Sequence, residues 1–165
     1  MEPKNIRGKG LTREEFNKAL KVIYHPYARY NYDAGYAIGK FLKGLKEGKI
    51  LGVKCRKCNR ILVPPRAFCE LCFVPIDEWV ELKDTGTVNT FSISYVSMDV
   101  TRLKEPEIPA VIEIDGASPG IGILHKLGEV DPKDVKIGMR VKAVWKPKEE
   151  REGAITDILY FKPIE

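Results

Sequence analysis

The stretch from Cys55 to Cys72 reads CRKCNRILVPPRAFCELC and holds all four cysteines of this 165-residue chain. They form two CxxC pairs, Cys55 with Cys58 and Cys69 with Cys72, separated by ten residues. A CxxC turn can direct two sulfurs to one point, and two such turns supply the tetrahedral thiolate set that a structural zinc requires. The spacing therefore predicts a structural Zn²⁺ site with these four ligands and no open position for catalysis.

Two other uses of the cysteines are open at this point. Disulfides are typical of secreted proteins, whereas the N-terminus, MEPKNIRGKG, lacks the apolar segment of a secretory leader and favours a cytoplasmic protein. Iron accepts the same four sulfurs as zinc, although the ten-residue spacer is short for rubredoxin. A redox-active CxxC pair would lie at a strand-to-helix turn, and here strand-like residues flank the stretch on both sides.

The composition is typical of a soluble protein, with 44% hydrophobic and 31% charged residues. No apolar run approaches the roughly 20 residues that span a bilayer, so we expect no membrane contact. The net charge of +5 is uneven, because residues 1–78 contain 16 Lys/Arg and 8 Asp/Glu while residues 79–165 contain 12 and 15. An anionic partner is therefore expected to prefer the first half, unless these lysines only solvate helices.

Two helices are predicted before the cysteine stretch. The first spans Leu11–Ile23, with Thr12 and Glu15 as a capping box. The second is capped by Asp33 and ends at Gly48. Its apolar face is predicted to comprise Ala34, Ile38, Phe41, Leu42 and Leu45.

A concentration of tyrosines lies between the two predicted helices. Such a cluster either packs between helices or lines a surface for a ligand or a partner protein, because tyrosine combines a rigid apolar ring with a hydrogen-bonding tip. Its members are Tyr24, Tyr27, Tyr30, Tyr32 and Tyr36.

The second half of the chain has β patterning. The run Thr87–Met98 alternates like a half-buried strand, and Arg102–Pro109 is predicted to be a charged loop. Further strands are predicted at 110–114, 120–124, 141–145 and 155–161. Five or six strands without a long helix favour a small closed β-barrel of the oligonucleotide/oligosaccharide-binding (OB) type.

The predicted fold is therefore mainly β with N-terminal helices. It comprises a helical hairpin in residues 1–48, a rubredoxin-like zinc ribbon in residues 49–78 and an OB-fold barrel in residues 79–165. Arg66 follows two prolines that stiffen the loop between the CxxC pairs, so we expect its side chain to face a partner or a phosphate, or to pair with Glu70 or Asp77.

The order of these parts resembles the DUF35 family of zinc-ribbon plus OB-fold proteins, which are associated with acyl-CoA metabolism. The resemblance runs from about residue 30 to residue 162 and rests on three segments, GKILGVKCRKCNRILVPPRAFCELC, WVELKDTGTV and DPKDVKIGMRVKAVW. It implies a non-catalytic protein that works beside acyl-CoA enzymes. Archaeal members bridge acetoacetyl-CoA thiolase and hydroxymethylglutaryl-CoA synthase, which makes these two enzymes the expected partners.

A CoA or acyl-CoA ligand is a further implication of the resemblance. CoA has phosphates that basic residues attract and an apolar arm that aromatic residues can cover. The second helix combines both kinds of residue, which makes Tyr36, Lys40 and Lys43 candidate CoA contacts.

Two other functions compete with the scaffold interpretation. Zinc ribbons and OB barrels also bind nucleic acid, but the barrel half is net acidic and its aromatic strand alternates with serines, which disfavours a single-strand groove. Acyl-CoA hydration or thioester hydrolysis would need a catalytic group. The cysteines are assigned to metal, and His25 and His125 lie far apart in the sequence.

Overall fold

The computed structural model describes residues 10–19, 25–97 and 99–164, which divide between two compact units, Met1–Tyr32 and Asp33–Glu165. Among the described residues, no helix is both long and apolar enough to cross a membrane. The predicted pairing of the two helices into a hairpin and the boundaries at 48/49 and 78/79 stay predictions.

In the first unit, helix α1 spans Arg13–Lys18. The predicted capping box is confirmed, since the Glu15 amide donates to Thr12 Oγ1 at 3.2 Å and the Thr12 amide donates to Glu15 Oε2 at 2.7 Å. The predicted extension to Ile23 is wrong at its first step, because Ala19 has an extended ψ of 142°. A six-residue helix with no buried residue gains too little from packing to continue.

The tyrosines that the structure describes in the first unit are exposed. Residues 25–32 contain no helix or strand, and Tyr27, Tyr30 and Tyr32 are 78%, 72% and 85% exposed. Leu20, Ile23 and Tyr24 of the predicted pattern lie outside the described residues.

In the second unit, helix α2 spans Gly35–Lys46. The predicted start is off by one residue: Ala34 is the N-cap and has no side-chain cap hydrogen bond, while Asp33, one position earlier, accepts from the Gly35 amide through Oδ1 at 2.6 Å. Gly48 ends it with a φ of +79°, while the Lys49 amide donates to the Gly44 carbonyl at 2.9 Å. The predicted apolar face is confirmed at Phe41 and Leu45, whereas Ala34 and Ile38 are exposed and the other buried residues are Ala37 and Gly44.

The ribbon is a three-stranded antiparallel sheet in the order β2-β1-β3. Its strands are β1 (Ile50–Lys54), β2 (Ile61–Leu62) and β3 (Glu78–Leu82). Val53, Leu62 and Ile76 form a small buried cluster with Cys55 and Cys69, so the cysteines are part of the ribbon's own core.

The remaining strands form the predicted OB barrel. Strand β4 (Thr85–Phe91) pairs with both β8 (Arg140–Trp145) and β6 (Arg102–Ile114). With β7 (Gly122–Leu127) and β9 (Ile158–Pro163), these pairings close the order β4-β8-β9-β7-β6 into a ring of five strands. The one parallel pair among the described strands, β7 with β9, meets at Leu127 and Phe161. The remaining strand of this half is β5 (Ser94–Val96).

Two predictions about this half were wrong. The single strand Thr87–Met98 is interrupted after Phe91, and Ser94–Val96 forms a separate strand on the outer edge of β6; Met98 lies outside the described residues. The predicted loop Arg102–Pro109 is the first half of β6. This half pairs with β5 to form a two-stranded arm outside the ring. Its sequence is mostly charged and lacks the alternation of apolar and polar residues that predicts a strand.

A buried carboxylate fixes the loop that holds α2 against the barrel. Asp157 is fully buried, and its side chain accepts from the amides of Glu152, Gly153 and Ala154 at 3.0, 2.7 and 3.2 Å. A side chain at Gly153 would lie 3.3 Å from the Leu42 carbonyl, so this loop lies directly on α2. The main core also includes Phe41 and Leu45 together with barrel residues.

We predict that the ion pair between Asp115, in the turn after β6, and Arg140 of β8 loses its stabilising effect in acid. Arg140 donates to both carboxylate oxygens of Asp115 at 2.8 and 2.5 Å, and these bonds hold the pKa of Asp115 at about 2, against an ordinary 3.8. Because the folded pKa is depressed, the stabilisation is present above about pH 4 and is lost as the pH falls towards about 2. The melting temperature of Asp115→Asn should therefore lie below wild type at pH 7 and converge with it near pH 2.

The control is Glu149→Gln, which removes an exposed carboxylate and should match wild type throughout. A gap between wild type and Asp115→Asn that is as wide at pH 2 as at pH 7 would contradict the assignment.

Candidate metal centre and adjacent groove

The four cysteines converge on one point, as the sequence predicts. Their sulfur atoms all lie within 4.8 Å of one another, and Cys58 Sγ lies 3.7 Å from Cys69 Sγ. Four sulfurs placed tetrahedrally at about 2.3 Å from a zinc ion would be roughly 3.8 Å apart. The donor set therefore fits a four-coordinate metal ion with no position left for substrate.

The two CxxC turns have the same backbone geometry. In the first knuckle the Asn59 amide donates to the Cys55 carbonyl at 2.8 Å, and in the second the Phe73 amide donates to the Cys69 carbonyl at 2.9 Å. Asn59 and Phe73 both adopt a left-handed φ, of 60° and 50°. Each turn thus holds its two sulfurs on the side that faces the other turn.

Metal binding at this site competes with protons. The backbone amide of Cys58 is the main influence that lowers the pKa of Cys55 to about 7, whereas burial and the neighbouring sulfurs raise the pKa of Cys72 to about 12. A metal ion binds thiolates, so it must displace the proton of Cys72.

The disulfide alternative does not match the geometry. All four cysteines are free thiols, and the 3.7 Å between Cys58 Sγ and Cys69 Sγ is far longer than the roughly 2.05 Å of a disulfide. The positions of the four sulfurs fit a zinc ion and an iron ion equally well.

A groove of about 780 Å³ runs along α2 and contains three of the predicted contact residues. Tyr36, Lys40 and Lys43 line one side, and Leu51 of β1 contributes to its apolar part. Asp33 and Glu47 lie at the two ends of the helix and also border the groove. A side chain at Gly35 or Gly39 would meet no atom within 4 Å, so the helix surface at these two glycines is open.

Trp79 of β3 joins this groove to the ribbon. Lys40 Nζ lies 4.3 Å from the centre of the Trp79 ring, and the Trp79 indole donates to the Tyr36 hydroxyl at 3.3 Å. The rings of Tyr36 and Trp79 meet edge to face with centroids 6.0 Å apart. Trp79 was not among the predicted site residues, because its sequence context indicates only a strand.

Arg66 lies apart from this groove, on the loop between the knuckles. Its guanidinium is 3.2 Å from Glu70 Oε2, while Arg60 donates to Glu70 Oε1 at 2.7 Å. The predicted pairing of Arg66 with Glu70 is thus present. The side chain of Arg66 is 54% exposed, so this pairing leaves much of it accessible.

His125 has backbone partners on both ring nitrogens. Its Nδ1 accepts from the Lys126 amide at 2.9 Å, and its Nε2 lies 3.3 Å from the Ile155 carbonyl. Burial lowers the pKa of His125 below its ordinary value. These contacts indicate a structural role in the barrel wall.

Comparison with known proteins gives the family. The families described as "ChsH2, rubredoxin-like zinc ribbon domain" and "ChsH2, C-terminal OB-fold domain" match residues 42–78 and 79–146. A DUF35 domain-containing scaffold protein of Methanocaldococcus jannaschii is 33% identical over 119 residues, which cover 70% of this chain and 82% of the relative. The chain belongs to the DUF35 family.

Other relatives agree with this assignment. A DUF35 domain-containing scaffold protein of Methanothermobacter thermautotrophicus is 29% identical over 69% of this DUF35 protein and 86% of its own length. The naming of both curated relatives as scaffold proteins agrees with the expectation of a non-catalytic accessory subunit.

Two solved structures share the fold. A DUF35 family protein of unknown function from Sulfolobus solfataricus aligns with a TM-score of 0.58 and 33% identity, over 76% of this chain and 83% of that chain. A chain described as "Ltp2-ChsH2(DUF35) aldolase" aligns with a TM-score of 0.57 and 21% identity, over 83% and 98%. The zinc ribbon followed by an OB fold is therefore the architecture of this DUF35 protein.

We predict that Cys58→Ser removes the metal from the ribbon. The serine hydroxyl is a poor replacement for a thiolate ligand, so zinc content should fall from about one ion per chain to near zero after dialysis against a chelator. Proteolysis within residues 55–72 should become faster in the same sample, because the knuckles lose their cross-link.

Lys57→Ser is the matched control, since it changes an exposed residue of the same turn and should retain metal. Unchanged metal content in Cys58→Ser would refute the ligand assignment.

Proposed function

We propose that this DUF35 protein is a non-catalytic scaffold for enzymes that act on acyl-CoA thioesters, and that it bridges acetoacetyl-CoA thiolase and hydroxymethylglutaryl-CoA synthase. The scaffold role is supported by the names of both curated relatives. The acyl-CoA context is supported by the family resemblance of the sequence. In this proposal the four cysteines hold a structural Zn²⁺.

The observation that carries the CoA part of the proposal is the groove along α2. Lys40 and Lys43 face it, and no described residue forms an ion pair with either of them. The phosphates of CoA are the kind of group that two such ammonium groups attract. Because Asp33 and Glu47 border the ends of the groove, we place the phosphates at its centre.

The rest of the groove suits the apolar arm of CoA. The open surface at Gly35 and Gly39 lets a ligand chain approach the helix backbone, and Leu51 offers an apolar contact beside it. The Trp79 ring lies under the Lys40 ammonium, so this lysine is already positioned before ligand arrives. A partly preorganised site loses less entropy when it binds.

We predict that two substitutions in the groove weaken CoA binding without unfolding the protein. Lys40→Ala combined with Lys43→Ala removes two charged contacts and should reduce CoA affinity by about tenfold or more in titration calorimetry. Gly39→Leu should reduce it similarly by filling the open floor. Leucine also favours a helix interior over glycine by roughly 0.5–1 kcal/mol, so Gly39→Leu should not lower the melting temperature.

Lys46→Ala is the matched control, because it removes an exposed lysine of the same helix that does not line the groove. If CoA binds wild type and both groove variants equally, the groove is the wrong place for it.

We predict that the protein joins two enzymes that do not associate by themselves. Purified thiolase and hydroxymethylglutaryl-CoA synthase from the same organism should elute separately in gel filtration, and addition of the scaffold should move both into one larger complex. The scaffold alone should not hydrate or hydrolyse short acyl-CoAs. Turnover by the isolated chain that disappears in the Lys40→Ala, Lys43→Ala variant would replace the scaffold role with an enzymatic one.

A further inference from the structure

The two CxxC knuckles share one backbone conformation but have different side chains, so they can be compared position by position. A shift of fourteen positions places Cys55 on Cys69 and Cys58 on Cys72. The hydrogen bonds repeat with the same shift, because the Cys55 amide donates to the Arg60 carbonyl and the Cys69 amide to the Val74 carbonyl, both at 2.9 Å. Residues at matched positions therefore have similar backbone settings.

The side chains at matched positions differ consistently in polarity. The first knuckle has Lys54, Lys57 and Asn59, and the second has Phe68, Leu71 and Phe73. The three apolar side chains are 55%, 66% and 84% exposed. We call Phe68, Leu71 and Phe73 the second-knuckle patch.

Folding does not account for these apolar residues. None of the three belongs to the buried cluster of the ribbon or to the partly buried side chains packed on it. The first knuckle adopts the same turn with polar residues at every matched position, so the turn itself does not require apolar ones.

Phe73 is the least favourable of the three for folding, because its φ of +50° is unfavourable for a bulky side chain. Asn59, at the matched position, is of a type that tolerates this conformation. A phenylalanine that is 84% exposed and has a left-handed backbone is therefore not explained by packing within the chain.

We propose that the second-knuckle patch is a docking knob that inserts into an apolar pocket, with a carboxylate on its rim, on one of the two enzymes that the scaffold bridges. This inference rests on the proposed scaffold function and assigns it a surface. The patch is distinct from the α2 groove, since it lies on the loop that follows Pro65 and shares no residue with the groove.

The area of the patch favours a different protein over a second copy of this chain. With roughly 200 Å² for each large side chain, the exposed parts amount to about 400 Å². A stable interface needs about 800 Å² from each partner, so two such patches facing one another would be too small. A knob at a turn tip is instead the shape that fills a pocket, with the remaining contact area supplied by the pocket's surroundings.

The charge beside the patch indicates the chemistry of the pocket rim. Arg60 and Arg66 both pair with the single carboxylate of Glu70, and Arg66 lies two positions before Phe68 in the sequence. Arg66 is exposed and mounted after two prolines, which makes it available to an acidic group of the partner.

The test gives the second knuckle the residues of the first. The triple variant Phe68→Lys, Leu71→Lys, Phe73→Asn should keep its zinc, while its affinity for the thiolase or the synthase, measured by biolayer interferometry with each purified enzyme, should fall at least a hundredfold. Phe73→Asn alone should reduce affinity at least tenfold and raise the melting temperature, because asparagine tolerates the left-handed backbone. The single variant decides the question if the triple variant fails to fold.

Lys57→Ala, an exposed change at the position matched to Leu71, is the control and should alter affinity less than threefold. If wild type binds an enzyme and both patch variants bind it equally well, the docking surface is wrong and the scaffold function stands. If wild type binds neither enzyme, both are wrong. A wild-type dimer in sedimentation that the triple variant converts to monomer would assign the patch to self-association and overturn the inference.

Discussion

The convergence of four sulfurs on a single point is the constraint on which the functional half of this DUF35 protein depends. The ribbon has a strand of only two residues, β2, and a buried cluster that consists largely of the cysteines and three aliphatic side chains. A core of this size cannot offset the conformational entropy that is lost when the knuckles are ordered. A metal ion that cross-links both turns supplies the missing free energy of folding. The order of residues 55–72 is therefore tied to the metal.

The effect of the metal centre extends beyond the ribbon through one strand. Strand β3 pairs along its whole length with β1, which leads directly into the first knuckle. β3 carries Trp79, and Trp79 positions Lys40 and meets Tyr36 across the groove. The other side of α2 is held by the loop around Asp157, whose buried carboxylate binds three backbone amides. The helix that forms the groove is thus held on one side by Trp79 of the ribbon, which depends on the metal centre, and on the other side by the Asp157 loop of the barrel.

This arrangement separates binding from chemistry. The sulfurs are directed at one another, and His125 has its ring nitrogens next to backbone groups. The features that face outward are a groove with two lysines and an exposed apolar knuckle. Such surfaces suit the scaffold role proposed above, which agrees with the names of the curated relatives.

Much of the fold could be predicted because its signals are local. Ligand spacing fixed the metal centre, a capping box marked α1 at Thr12, Asp33 and Gly48 marked the ends of α2, and strand periodicity indicated the barrel. The first half of β6 was missed because most of its side chains are charged and exposed, so no apolar alternation accompanies it. The centre of the buried face of α2 was predicted incorrectly. Periodicity shows that a helix has an apolar side, but the residues at the centre of that side depend on which elements pack against the helix.

The sequence by itself indicated the four converging cysteines, most of the element types and the family, since each depends on residues a few positions apart or on a motif order shared with known proteins. Only the tertiary structure decided which residues share a surface. Tyr36 and Trp79 are 43 positions apart and meet because α2 and β3 pack on the same ribbon strand. The exposure of Phe68, Leu71 and Phe73 was likewise a result of folding, because an apolar residue in a sequence is expected to be buried and only the packed chain shows which ones are not.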